Sequence, residues 1–69
     1  MCRYFVIFIA VNSNGVLISE CLKYITTNNR QPTTIEITKF IENTIGKKQY
    51  ILTSFVEMRN TDVNTFLGV

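Results

Sequence analysis

Residues Tyr4-Phe5-Val6-Ile7-Phe8-Ile9-Ala10-Val11 carry neither a charge nor a side-chain amide. A strand with one wet face alternates apolar and polar residues, whereas a strand buried on both faces reads as an unbroken apolar run. This run is too short to cross a bilayer, which takes roughly 20 apolar residues in a helix. Its β-branched and aromatic content, and the Asn12-Ser13-Asn14-Gly15 that follows, predict a strand. Both faces of that strand need cover, and a chain of 69 residues supplies only part of it. A domain this small buries only about 60% of its unfolded surface and is marginal unless stapled or oligomeric. With 46% apolar residues, 17% charged residues and one proline, residues 1–69 read as a single folded domain.

Asn14-Gly15 is a hairpin signal, because both residues accept the positive φ angles of a type I′ turn. A second strand then runs from about Val16 to Ile25. With Asn14-Gly15 as the loop, Ser13 faces Val16, and Ile9, Ile7 and Phe5 face Glu20, Leu22 and Tyr24. A three-residue loop would exchange the faces of the second strand. Thr26 to Pro32 is polar and reads as a mobile surface loop. Thr33 and Glu36 have capping-box spacing, and Ile37, Phe40, Ile41, Thr44 and Ile45 form one helical stripe that Gly46 ends. Ile35 falls opposite that stripe. Gln49 to Met58 reads as a third strand, with Tyr50, Leu52, Val56 and Met58 on one side and Ile51 and Phe55 on the other. Asn60 or Thr61 is placed to cap a short last helix carrying Val63, Phe66 and Leu67.

The order β-β-α-β, with a short helix appended, predicts an α+β fold. The most apolar strand belongs in the centre of a three-stranded antiparallel sheet of order 2-1-3, half of a ferredoxin-like arrangement. The main helix covers one face. The other face is predicted to stay apolar, and exposed patches beyond a few hundred Å² mark interaction sites. A symmetric dimer, face on face or edge on edge, is the economical cover. The alternative is a monomer in which the tail helix folds over that face.

The residues offer little for catalysis. There is no histidine to activate a serine or threonine, and the glycines, 15, 46 and 68, form no phosphate loop. No metal or cofactor is expected, because two cysteines without histidine make no zinc set. In the Asn-Gly register Cys21 faces Phe8, about 20 Å along the strand from Cys2, too far for a disulfide. Cys21 reads as a small buried filler, and Glu20 as a charge at an exposed edge. The aromatic residues Tyr4, Phe8, Tyr24, Tyr50 and Phe55 read as packing rather than as a base-stacking platform.

The net charge of +2 comes from scattered residues, and only Lys47-Lys48 are adjacent among the basic ones. Arg3 and the apolar run could pass for a signal peptide, yet no small-x-small cleavage site follows. A cytoplasmic location is therefore expected. The whole pattern resembles short bacterial proteins of the β-β-α-β type that have no assigned activity. The features in common are the aromatic-apolar strand after Arg3, the Asn/Gly turn, the capped helix from Thr33 and the apolar third strand ending in Ser54-Phe55-Val56-Glu57-Met58. The resemblance implies the fold and no catalytic role.

These readings converge on a non-enzymatic interaction or regulatory module, working as a homodimer with a further protein partner. Its contact surface is expected on the non-helix sheet face, anchored by Tyr4, Val6, Phe8, Cys21 and Phe55. The loop Asn28-Asn29-Arg30-Gln31 is a second contact. The alternative is a nucleic-acid-binding dimer that aligns Lys23, Arg30, Lys47 and Lys48.

Overall fold

Asn14 and Gly15 hold φ angles of 53° and 82°, the left-handed pair that a type I′ turn requires. The Asn12 side chain accepts a hydrogen bond from the Gly15 amide at 3.0 Å and braces the turn. The hairpin joins β1 (Arg3–Ser13) to β2 (Val16–Thr26), with Ser13 opposite Val16, Ile9 opposite Glu20 and Phe5 opposite Tyr24. This is the register of the two-residue loop. The computed structural model describes residues 2–68. Beyond the hairpin come α1 (Thr34–Ile45), β3 (Tyr50–Met58) and α2 (Asn60–Leu67). The sheet is antiparallel in the order β2-β1-β3, an α+β arrangement with the most apolar strand in the centre.

The Thr33 hydroxyl accepts from the Glu36 amide, and the Glu36 carboxylate accepts from the Thr33 amide, so both orphan donors are paired. The α1 stripe packs Ile37 and Ile41 onto Ile7, Ile9 and Val11, with Phe40 and Ile45 at its margin. Thr44 differs from the expected stripe. It is exposed, and its hydroxyl donates back to the Phe40 carbonyl at 2.8 Å. Gly46 ends the helix with φ 79° and ψ −144°, so its backbone turns outward in a conformation beyond the ordinary left-handed cap.

β3 departs from the expected alternation. Phe8 pairs with Ser54 but Ile9 pairs with Leu52, so Thr53 is an extra residue, a bulge that exchanges the faces on either side of it. Tyr50, Leu52 and Phe55 therefore all join the α1 side of the sheet. Phe55 packs edge-on to Phe5 at 6.0 Å between ring centroids. Its expected place on the open face is corrected by this one inserted residue. Ile51 keeps its expected place on that face, opposite Ala10, and Val56 and Met58 join it, opposite Val6 and Tyr4.

The second face is partly roofed. α2 buries Val63 completely, Val6 beneath it is fully buried, and Phe66 meets Phe8 edge-on at 5.5 Å. Its N-cap is Arg59, with no side-chain cap hydrogen bond, rather than Asn60 or Thr61. The Asn60 side-chain oxygen Oδ1 is engaged elsewhere: it accepts from the Lys23 ammonium at 2.9 Å.

Candidate functional site

Three regions around the sheet concentrate chemistry or exposed apolar surface. The first lies where α2 docks. Lys23 projects from β2 onto the second face, donates to Asn60 and Asn64 one helical turn apart (2.9 and 2.8 Å), and stands 5.5 Å from the Tyr4 ring centroid. Lys23 therefore acts as a clamp that holds the tail helix. This function was missed from sequence, although the i, i+4 spacing of Asn60 and Asn64 placed both amides on one helix face.

The second region is an open concavity lined by Cys2, Arg3, Tyr4, Glu57, Met58, Arg59 and Asn60. Its charges pair locally. Arg3 grips Glu57 through two hydrogen bonds of 2.9 and 2.8 Å, and this fork-to-carboxylate contact holds the Glu57 carboxyl below its usual range. Arg59 pairs with Asp62 at 3.0 Å. A wall of matched pairs offers no free guanidinium to an anion.

The third region is the hairpin end of the second face. Ala10, Asn12, Leu17, Gln49, Tyr50 and Ile51 line a shallow hollow of about 310 Å³. Asn12 anchors it: its amide N–H donates to the Gln49 carbonyl at 2.9 Å, and its side chain donates to the Gln49 side chain at 3.1 Å. Leu17 and Ile51 on its rim are 62% and 59% exposed, values that make them the apolar part of an open surface rather than core. α2 does not reach this end.

The five expected anchors are thus distributed differently. Val6 is buried, Tyr4 and Phe8 are half-buried, and Phe55 lies on the α1 side. Only Cys21 remains exposed on the second face, and the filler role expected for it is corrected by its position on the outermost strand, away from α2. Glu20, also exposed, sits on the same outer strand. The residues Asn28, Asn29, Arg30 and Gln31 are exposed as a group, with Arg30 drawn onto Glu36 at 2.7 Å. That pair, with the two Thr33 contacts, lowers the Glu36 carboxyl to about 2.

Lys23, Arg30, Lys47 and Lys48 do not come together within one chain. Lys23 is opposite Val6, Arg30 lies beyond Thr26, and Lys47 and Lys48 adjoin Gln49 at the Asn12 end of the sheet. Among the described residues no group of three histidine, cysteine or carboxylate side chains could hold a metal ion. No described helix is long and apolar enough to cross a membrane. Compared with protein-family models, with curated proteins and with solved structures, the chain finds no match.

Proposed function

We propose that this protein is a small non-enzymatic interaction module that acts as a homodimer and, in that form, engages a further protein partner. The observation that carries this reading is the placement of large apolar side chains left open to solvent. Val16, Leu17, Ile18 and Ile25 are exposed on β2, Ile51 and Val56 on β3, and Phe66 on α2. Apart from Val16 and Ile18 they gather on the second face and its rim, and a contiguous patch of this kind marks a contact surface. Leu17, Ile25, Ile51 and Val56 replace Tyr4, Val6, Phe8 and Phe55 as anchors beside Cys21. The hollow at Ala10, Leu17 and Ile51 and the exposed loop Asn28–Gln31 are the surfaces on which a further partner would seat.

The non-enzymatic reading is supported by how the displaced carboxyl groups are used. Glu36 and Glu57 are ionised more readily than usual because arginines grip them, a structural task rather than the poised state of a general acid or base. Cys2 and Cys21, both free and exposed, suit a reducing compartment, and we place the protein in the cytoplasm. No observation favours the nucleic-acid alternative, since its four basic residues are dispersed.

The test is the solution mass by light scattering over a concentration series, with Leu17→Lys alongside. The wild type is expected as a dimer and the variant as a monomer with unchanged circular dichroism. A wild type that remains monomeric at every concentration contradicts the homodimer. A Leu17→Lys variant that dimerises as well as wild type takes β2 out of the interface.

A further inference from the structure

We infer that β2 pairs with the β2 of a second copy, antiparallel about a two-fold axis through Cys21, making one six-stranded sheet in the order β3-β1-β2-β2-β1-β3. The inference rests on the homodimer reading and names the surface that makes it. β2 is an outer strand of 11 residues in unbroken register with β1. Exposed edges are normally blunted by proline, bulges, short length or several charges. β2 has no proline and no bulge, and Glu20 and Lys23 are its only charges.

The exposed side chains of β2 call for a strand as their cover. Leu17 and Ile25 alternate with Val16 and Ile18, so the strand leaves large apolar groups open on both sides of the sheet. Stacking a second sheet on one face covers only one of those sets. A strand added at the edge places neighbours beside both.

Hydrogen-bond phase then restricts the register. The Asn12 amide points towards β3, to the Gln49 carbonyl, so even-numbered residues of β1 face β3 and odd-numbered ones face β2. Ile9 bonds Glu20 and Ile7 bonds Leu22, which leaves Leu17, Ser19, Cys21, Lys23 and Ile25 with their backbone groups directed outward. In a two-fold pair an outward residue must meet an outward residue. Centring the pair on Cys21 engages the whole strand: Leu17 meets the partner's Ile25, Ser19 meets the partner's Lys23, and Ile18 lies beside the partner's Tyr24. Moving the sum of paired positions by two in either direction sets Glu20 against the partner's Glu20 or leaves Val16 and Leu17 unpaired. Of these registers the Cys21 axis alone engages all 11 residues of β2 while keeping the two Glu20 carboxylates apart, and it sets Leu17 against Ile25 and Ile18 against Tyr24 at both ends.

The same geometry closes the assembly. Once β2 is paired, the remaining outer strand is β3, which the Thr53 bulge distorts. Bulged edges resist further pairing, so growth stops at two copies.

The test uses one thiol at a time. In the Cys2→Ser background, Cys21 is the only cysteine; the comparison chain carries Cys2→Ser, Cys21→Ser and Ser19→Cys. Directly opposed hydrogen-bonded residues have Cα atoms about 5.5 Å apart, within disulfide range. Position 19 and its copy would be about 14 Å apart, four residues out of step. Diamide is the oxidant: the two thiols give up two protons and two electrons as the S–S bond forms, and the azo group takes them up. A short bis-methanethiosulfonate run in parallel reads the same proximity without requiring ideal disulfide geometry. Cross-linked dimer is expected at least tenfold faster from position 21 than from position 19, with a dimeric mass before cross-linking. A dimeric mass with position 19 as fast as position 21 overturns the Cys21 axis and leaves the homodimer standing. A mass that grows beyond two copies overturns the closed pair. A monomeric mass throughout overturns both this inference and the homodimer.

Discussion

Three side chains at the start of α1 carry more than their share of local order. Thr33 and Glu36 satisfy each other's backbone donors, and Arg30 closes over the carboxylate at 2.7 Å. Thr33→Ala is expected to cost about 1 kcal/mol, the usual worth of an N-cap hydroxyl, read from urea denaturation. The acid limb of stability belongs to the same group. Glu36 titrates at about 2 in the folded chain against an ordinary value of 4.5, so it binds protons more readily when unfolded. Its contribution is therefore complete above about 4.5 and is lost as the pH falls towards 2. Glu57, lowered by Arg3, acts in the same direction. Glu36→Gln should flatten the fall in stability across that window, followed by thermal melts at stepped pH; an unchanged slope would assign the acid limb to other groups. At this scale the cap was legible because its two members lie three residues apart. The Arg30 contact was not, since it depends on how a loop folds back.

The elements and their order follow from periodicity, and Asn14-Gly15 marks the hairpin; the choice of the two-residue loop over a three-residue one comes from the structure, where both residues hold positive φ and Ser13 pairs with Val16. β3 shows where pattern reading fails. No glycine or proline marks Thr53, so an alternation counted straight through Tyr50 to Met58 sends Phe55 to the wrong face. The adjacent polar residues Thr53 and Ser54 were the available sign of a break. The bulge leads to a contrast measurable by denaturation. Phe55→Ala should cost about 2–3 kcal/mol, below the range for a fully buried phenylalanine, whereas Ile51→Thr should stay within about 0.5 kcal/mol. Equal losses at both positions would contradict the assignment of faces. α2 was expected from its apolar spacing, but its seat on Val6 and Phe8 depends on contacts more than 50 residues apart in the chain. Val63→Ala should cost about 1.5 kcal/mol, the worth of two buried methylene-sized groups, if that seat holds in solution.

For the molecule as a whole, α2 answers part of the problem that the apolar first strand poses. It covers Tyr4, Val6 and Phe8, and it stops short of Leu17, Ile25 and Ile51. A second copy joined at β2 would cover what remains of that strand and extend the open face across the two-fold axis. This claim has a signature at single amides. Within one chain the even-numbered amides of β2, those of Ile18, Glu20, Leu22 and Tyr24, are bonded to β1, while those of Leu17, Ser19, Cys21, Lys23 and Ile25 point away from the sheet. Hydrogen exchange resolved by residue, followed against protein concentration, is the most direct measurement. The account predicts that the odd-numbered amides gain protection as the mass rises to that of a dimer, with the even-numbered ones protected throughout. Odd-numbered amides that exchange freely in a sample already dimeric would contradict edge pairing at β2.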